Sequence, residues 1–249
     1  MVKVEITTIL GIDLAWGTRM PDAVARIDYS AAAPDCPLLV GHAYTSGDDE
    51  LLAHLEQQAD ADRLLLAIDA PTRCLNEAGS RLVDKECNQH FRKFEAGCHP
   101  VNRKLCARPL RLADKLEAAG YDLSWQLGGS TRTAVEVYPH PAMVRWFGLE
   151  RTIKYKRGPV ANKRLEFQRY QQELRAYLEE AWPEMVLPEN FQVVLGSLWS
   201  KRSEDLLDAY FCALIGLWHI AHAGERTQVL GDLLTGHMIV PMSNEIPPT

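Results

Sequence analysis

The sequence lacks any unbroken apolar run near the roughly 20 residues that a membrane span needs. Its N-terminus, Met1-Val2-Lys3-Val4-Glu5, has no charged head leading into an apolar core and a small-residue cleavage site, so no signal peptide is expected. Cysteine is scarce. The six, Cys36, Cys74, Cys87, Cys98, Cys106 and Cys212, are scattered and lack the density of a disulfide scaffold. These absences point to the reducing cytoplasm and no membrane. No charge sign dominates, since 27 Lys and Arg stand against 33 Asp and Glu, a net of −6. That balance excludes a general nucleic-acid coat protein, which needs a strong positive excess. Low complexity, internal repeats and flexible linkers are also missing.

What is present is ordinary for a globular chain, 47% hydrophobic and 24% charged. A chain of 249 residues buries roughly 70–75% of its unfolded surface and needs no disulfide or metal staple. Residues 4–16 read as a strand, almost continuously apolar up to one carboxylate, as suits a strand buried on both faces. Strands are expected at 22–29 and 38–45, with the Ala33-Pro34-Asp35 turn between them. A helix follows over about 49–59, capped by Ser46 or Asp48. Residues 63–69 read as a second buried strand that ends on Asp69 and is stopped by Pro71. Helices are expected at 78–95 and 108–120, a strand at 132–138 stopped by Pro139 and Pro141, and long helices at 160–181 and 203–222. Apolar segments at 226–230 and 237–240 would add edge strands. The expectation is one α/β domain over 1–249 with a helical insertion at about 72–131.

Charge is unevenly spread. Between 81 and 111 eight basic residues face three acidic ones, and between 151 and 175 eight face two. These segments read either as solvated helix faces or as a basic rim for a polyanion.

The main signal is acidic residues in unusual places. Asp13 sits near the C-terminal end of the first buried strand, and Asp69 ends the next. By the two-residue period Asp13 shares a face with Ile9 and Gly11, and Asp69 with Leu65 and Ala67. Open α/β sheets place ligands outside the carboxyl ends of their strands. Two carboxylates there repel unless a proton or a cation intervenes. A hard divalent ion such as Mg²⁺ takes such oxygen ligands. Asp205 and Asp208 lie three apart, on one face of a helix. Small Ala209, Ala213 and Gly216 would let that helix lie close to the sheet. The plainer alternative for this pair is favourable charge at a helix N-terminus.

Gly11-Ile12-Asp13-Leu14-Ala15-Trp16-Gly17, Ile68-Asp69-Ala70-Pro71, Glu136-Val137-Tyr138-Pro139-His140-Pro141 and Asp205-Leu206-Leu207-Asp208-Ala209 resemble the pattern of the domain-of-unknown-function family 429. Arg81-Leu82-Val83-Asp84-Lys85-Glu86 and His99-Pro100-Val101-Asn102 look like further motifs of it. That family is regarded as predicted nucleases of the ribonuclease H-like fold. The resemblance covers nearly the whole chain. It implies a mixed sheet of three antiparallel strands followed by parallel strands, flanked by helices. The acid pattern is similar to that of Holliday-junction resolvases of the same superfamily, although their fourth-strand acid is usually Glu and here is Asp69. A resolvase-like protein would be a homodimer.

Such a site supports phosphodiester hydrolysis with two Mg²⁺ or Mn²⁺ ions about 3.5–4 Å apart. In that scheme Asp13 bridges both ions, while Asp69, Asp205 and Asp208 hold one each or share. Glu136 is the next candidate, to ligate metal or position water, unless it pairs with Arg132 or another base. Lys156 and Arg73 are candidates to bind phosphate, with a surface cation as the plainer alternative. The expected partner is nucleic acid, DNA or RNA, or a smaller phosphodiester. The competing functions are an actin-like nucleotide-phosphate enzyme, for which one set of strands is short, and a non-catalytic metal- or nucleic-acid-binding module.

Other signals are weaker. Cys87, His90, Cys98, His99 and Cys106 lack a second tight pair for zinc and read as buried or loop residues. Cys98 and His99 are neighbours that point apart and have no supporting acid. His219 and His222 read as a partly exposed helix face. Gly128-Gly129-Ser130 precedes a strand and reads as a plain turn.

Overall fold

The computed structural model describes residues 5–242 except Thr18 and Ala59. Val4 and Ala59, the outer limits of two expected elements, fall outside the described residues. The main sheet has five strands: β1 (Thr7–Asp13), β2 (Asp22–Tyr29), β3 (Leu38–Thr45), β4 (Arg63–Ile68) and β5 (Arg132–Glu136). Their spatial order is β3-β2-β1-β4-β5. The first three pair antiparallel, and β1, β4 and β5 run parallel. This is the mixed sheet that the resemblance implies. β1 is central and buried almost throughout, as its apolar sequence requires.

Side chains alternate between two cores. Leu10, Ile12, Leu64, Leu66, Ile68 and Ala134 face one way, toward α1 (Gly47–Glu56) and α3 (Ala107–Ala118). Ile9, Leu65, Ala67, Val135 and Val137 face the other way. There they meet α5 (Val160–Ala181), α6 (Glu189–Gly196) and α7 (Lys201–Ala221). α7 is buried without a break from Ser203 to His219, which its nearly all-apolar sequence beyond Asp208 permits. Among the described residues no helix is long and apolar enough to cross a membrane.

Several elements depart from the sequence expectations. The helix expected at 78–95 is shorter: α2 (Leu82–Phe91) followed by a 3-10 turn at Arg92–Phe94. Pro139 and Pro141 do end β5, but they also begin α4 (Pro139–Trp146). Proline suits a first helical turn because its missing N–H has no partner there. α6 follows Pro188 in the same way. The tail segments form a hairpin of their own: β6 (Thr227–Asp232) and β7 (Gly236–Pro241) pair with each other. β7 meets the edge of the main sheet through a single parallel bridge of Ile239 with Val137 just beyond β5, and the hairpin packs on α2 through Val83, Cys87, Leu230 and Met238. His219 is buried rather than half exposed. Its Nε2 donates to the Trp125 carbonyl at 2.7 Å, and its Nδ1 accepts from the Thr227 hydroxyl at 3.1 Å.

Candidate functional site

Two neighbouring parallel strands bring Asp13 and Asp69 together. β1 and β4 pair through Ile12 and Ile68, and the Asp69 amide donates to the Ile12 carbonyl at 2.9 Å. Both acids follow the side-chain parity that faces α7, as the two-residue period predicts.

α7 then carries Asp205 and Asp208 onto them. An ideal Cβ on Gly11 would stand 2.1 Å from the Ala209 carbonyl oxygen and 2.1 Å from the Ala213 amide nitrogen. A glycine is therefore required where the helix backbone lies directly against β1. Gly216 plays the reciprocal part, its ideal Cβ falling 2.8 Å from Ile9 Cγ2. Helix capping does not account for the acid pair. Ser200 caps α7, accepting from the Ser203 amide at 3.0 Å, and Asp205 and Asp208 lie beyond the first turn, facing inward. Asp205 is 5% exposed and Asp208 fully buried.

Two lysines stand among the carboxylates. Lys156 Nζ is 2.7 Å from Asp208 Oδ2, and Lys201 Nζ is 2.5 Å from Asp205 Oδ1. Neither carboxylate oxygen has an aligned hydrogen bond. The Tyr155 hydroxyl donates to Asp208 Oδ1 at 2.6 Å, and the Asp13 and Asp205 carboxyl groups are neighbours that act on one another electrostatically. Four carboxyl groups thus face two ammonium groups, leaving excess negative charge in a poorly hydrated place. Burial pushes Asp13 and Asp208 up to about 6 and Asp69 up to about 8, against the opposing pull of Lys156. Asp205 is raised by burial as well. Burial works against the Lys156 ammonium, but Asp208, Asp13 and Asp69 outweigh it and hold that group well above its ordinary range.

Asp13, Asp69, Asp205, Lys156 and Lys201 floor an open cleft of about 640 Å³. Its rim is the loop after β1, where Trp16 is 40% and Met20 48% exposed. Arg108 of α3 holds this loop in place. Its guanidinium is buried, pairs with Asp22 at 2.6 and 2.7 Å and with Asp48 at 2.9 Å, and donates to the carbonyls of Ala15 and Gly17.

Not every predicted residue joins the cluster. Glu136 is paired across the strands with Ile68 and shares the face of Ala134, the side of the sheet away from α7. Both its oxygens are taken by Arg81, at 2.6 and 2.8 Å, and Oε2 also accepts from the Thr72 amide at 3.3 Å. The expectation of a metal or water ligand gives way here to a buried ion pair, with Arg81 rather than Arg132 as the base. Asp84 completes the triad at 2.8 Å from Arg81. Arg73 pairs with Glu117 at 2.7 Å and does not line the cleft. Lys156, in contrast, is a cleft residue and not merely a surface cation. Arg81 and Arg108, counted in the sequence as part of a basic surface segment, are both internal. At the start of α2 the Arg81 amide donates to Asp84 Oδ2 at 2.9 Å.

Among the described residues no three His, Cys, Asp or Glu side chains converge as a ready metal cage. This holds for the Cys and His residues of the insertion as for the carboxylates, among which the two lysines stand. Comparison with known proteins finds one family model, described as a protein of unknown function (DUF429), that matches residues 11–233. No curated protein and no solved structure matches.

Proposed function

The chain belongs to the DUF429 family of proteins of unknown function, and from that starting point we propose that it is a divalent-metal-dependent hydrolase of phosphodiester bonds in nucleic acid. The observation that carries this proposal is the excess of buried carboxylate over ammonium at the carboxyl ends of β1 and β4. All four acids offer hard oxygen donors, and burial makes their bare anionic form costly. That donor chemistry fits Mg²⁺ or Mn²⁺. Asp13, Asp69, Asp205 and Asp208 would hold the ions. Bound there, such ions supply an activated water and offset charge on the leaving oxygen of an in-line displacement.

The chain's own residues do the rest. Lys156, with 31% of its side chain exposed, presents a cation to a non-bridging phosphate oxygen at the cleft floor. Trp16 offers an exposed aromatic face, and base stacking on such a face is sequence-tolerant. The Tyr155 hydroxyl fixes the orientation of Asp208, and Arg108 fixes the rim loop. The six cysteines are all free thiols, which supports a reducing cytoplasmic setting.

One observation favours a second reading. Lys156 and Lys201 already offset part of the acidic charge, as they would in a non-catalytic binding module. Hydrolysis of bis(p-nitrophenyl) phosphate and of oligonucleotides, with Mn²⁺ or Mg²⁺, separates the two. Wild-type protein should turn over substrate, and Asp13→Asn should abolish turnover while its circular dichroism stays native. Equal activity in both proteins would remove the carboxylate site from the chemistry, and no activity in either would favour the module.

A further inference from the structure

The two basic segments meet in space. Lys85 of α2, Arg92 of the 3-10 turn that follows it, and Lys154 line a second cleft of about 840 Å³, together with Cys98 and His99. Lys85, Arg92 and Lys154 are all exposed. Lys85 and Arg92 have no ion-pair partner among the described residues, and the acid on this wall, Glu95, is held between Arg151 and Lys154. Arg157 adds a further cation at the edge, its guanidinium donating to His99 Nε2 at 2.7 Å. The cleft therefore carries more positive than negative charge, and Lys85 and Arg92 are the cations in it without an ion-pair partner among the described residues.

This cleft adjoins the carboxylate site. Residues 154–156 form a common wall, Lys154 facing the second cleft and Lys156 the first. Between them stand Tyr138, whose hydroxyl donates to the Gly97 carbonyl at 3.3 Å, and His140, whose ring lies 5.6 Å from that of Tyr138. An acidic catalytic cleft gives a polyanion little long-range attraction, so a neighbouring positive surface must retain it. Small phosphodiesters have no use for a basic cleft beyond the reacting group. Polymers do, because each phosphate neutralised by a cation releases counterions.

We propose that the second cleft binds the sugar–phosphate backbone of the same nucleic-acid strand whose reacting linkage lies over Asp13 and Asp69. The substrate is then a polymer several nucleotides long. This rests on the phosphodiesterase reading, and the test keeps the two apart. Binding of fluorescein-labelled 12-nucleotide DNA and RNA strands is followed by anisotropy in EDTA across a salt series. Separately, Mn²⁺-dependent hydrolysis of bis(p-nitrophenyl) phosphate by wild-type protein reports on the carboxylate site alone. Lys85→Ala/Arg92→Ala should weaken binding of at least one strand type on the order of tenfold and reduce the slope of log K against log salt by about 1.4, two single-strand phosphate contacts. Arg63→Ala/Arg132→Ala removes two charges at the opposite end of the strands and should bind as wild type does. Unchanged affinity and slope in the Lys85/Arg92 double variant, or no strand binding by wild type, overturns the proposal even if the small diester is hydrolysed. Absent hydrolysis with binding lost on the Lys85 and Arg92 substitutions leaves the second cleft standing and counts against the phosphodiesterase reading.

Discussion

Replacing Gly11 with alanine inserts a methyl group where the backbone of α7 already stands. The new Cβ would lie 2.1 Å from both Ala209 O and Ala213 N, against an ordinary contact of about 3.5–4 Å between carbon atoms. Neither neighbour is the end of a flexible side chain, so helix and strand must separate by about 1 Å or more. Overpacking of a core typically costs about 1–3 kcal/mol, and a backbone clash on this scale belongs at the upper end, near 3 kcal/mol. The same displacement carries Asp205 and Asp208 away from Asp13. Misplacement of about 1 Å can cost on the order of 100-fold in a reaction that depends on positioning. Urea unfolding followed by far-ultraviolet circular dichroism gives the stability change, and Mn²⁺ titration calorimetry gives the effect on the acid cluster. Gly196→Ala is the control, because nothing lies within 4 Å of its ideal Cβ; it should fall within about 0.5 kcal/mol of wild type. If Gly11→Ala unfolds at the wild-type urea concentration and binds Mn²⁺ as tightly, close helix–strand contact is not what assembles the site.

Three other outcomes are expected. Glu136→Gln leaves Arg81 buried with only Asp84 as a counter-ion and should cost about 3–5 kcal/mol in chemical unfolding; loss of hydrolysis at unchanged stability would instead return Glu136 to the chemistry. His237 is fully buried, and burial, with Arg73 and Arg81 nearby, lowers its imidazole to about 4. A base with a depressed folded pKa contributes stability above its unfolded value of about 6.5 and loses it as pH falls toward the folded one. Wild type should therefore lose about 3 kcal/mol between pH 6.5 and 4 from this group, a slope that His237→Phe flattens; parallel pH profiles would refute it. Trp16→Ala should raise KM for oligonucleotides by about tenfold, the stacking worth of about one base, with Tm unchanged because the indole is exposed; an unchanged KM would remove Trp16 from the binding surface.

Much of the site was legible because local rules determine it. The two-residue period placed Asp13 with Ile9 and Gly11 and Asp69 with Leu65 and Ala67, and three-residue spacing placed Asp205 with Asp208; the pairing of β1 with β4 then puts both strand acids on one face. The run of Ala209, Ala213 and Gly216 announced a close helix. The rest needed long-range information. The two-residue period makes Glu136 point opposite Val135 and Val137, but only the register of β4 with β5 shows that those valines share the face of α7. Arg81 and Arg108 look like surface bases until their partners 55 and 86 residues away are known. Lys156 lies in an irregular segment between α4 and α5, where no period indicates direction. The prolines of α4 read as a stop because the same residue that breaks a strand ladder also begins a helix. The tail strands show apolar segments but not that they pair mainly with each other, touching the main sheet through one bridge of Ile239 with Val137.

The central claim is that Asp13, Asp69, Asp205 and Asp208 form a divalent-cation site. A crystal soaked in Mn²⁺ and measured at the manganese absorption edge tests it most directly. The account predicts anomalous density held by Asp13 with Asp69, Asp205 and Asp208, and Lys156 Nζ withdrawn from its 2.7 Å contact with Asp208. No anomalous density at saturating Mn²⁺, with Lys156 still seated on Asp208, would contradict it.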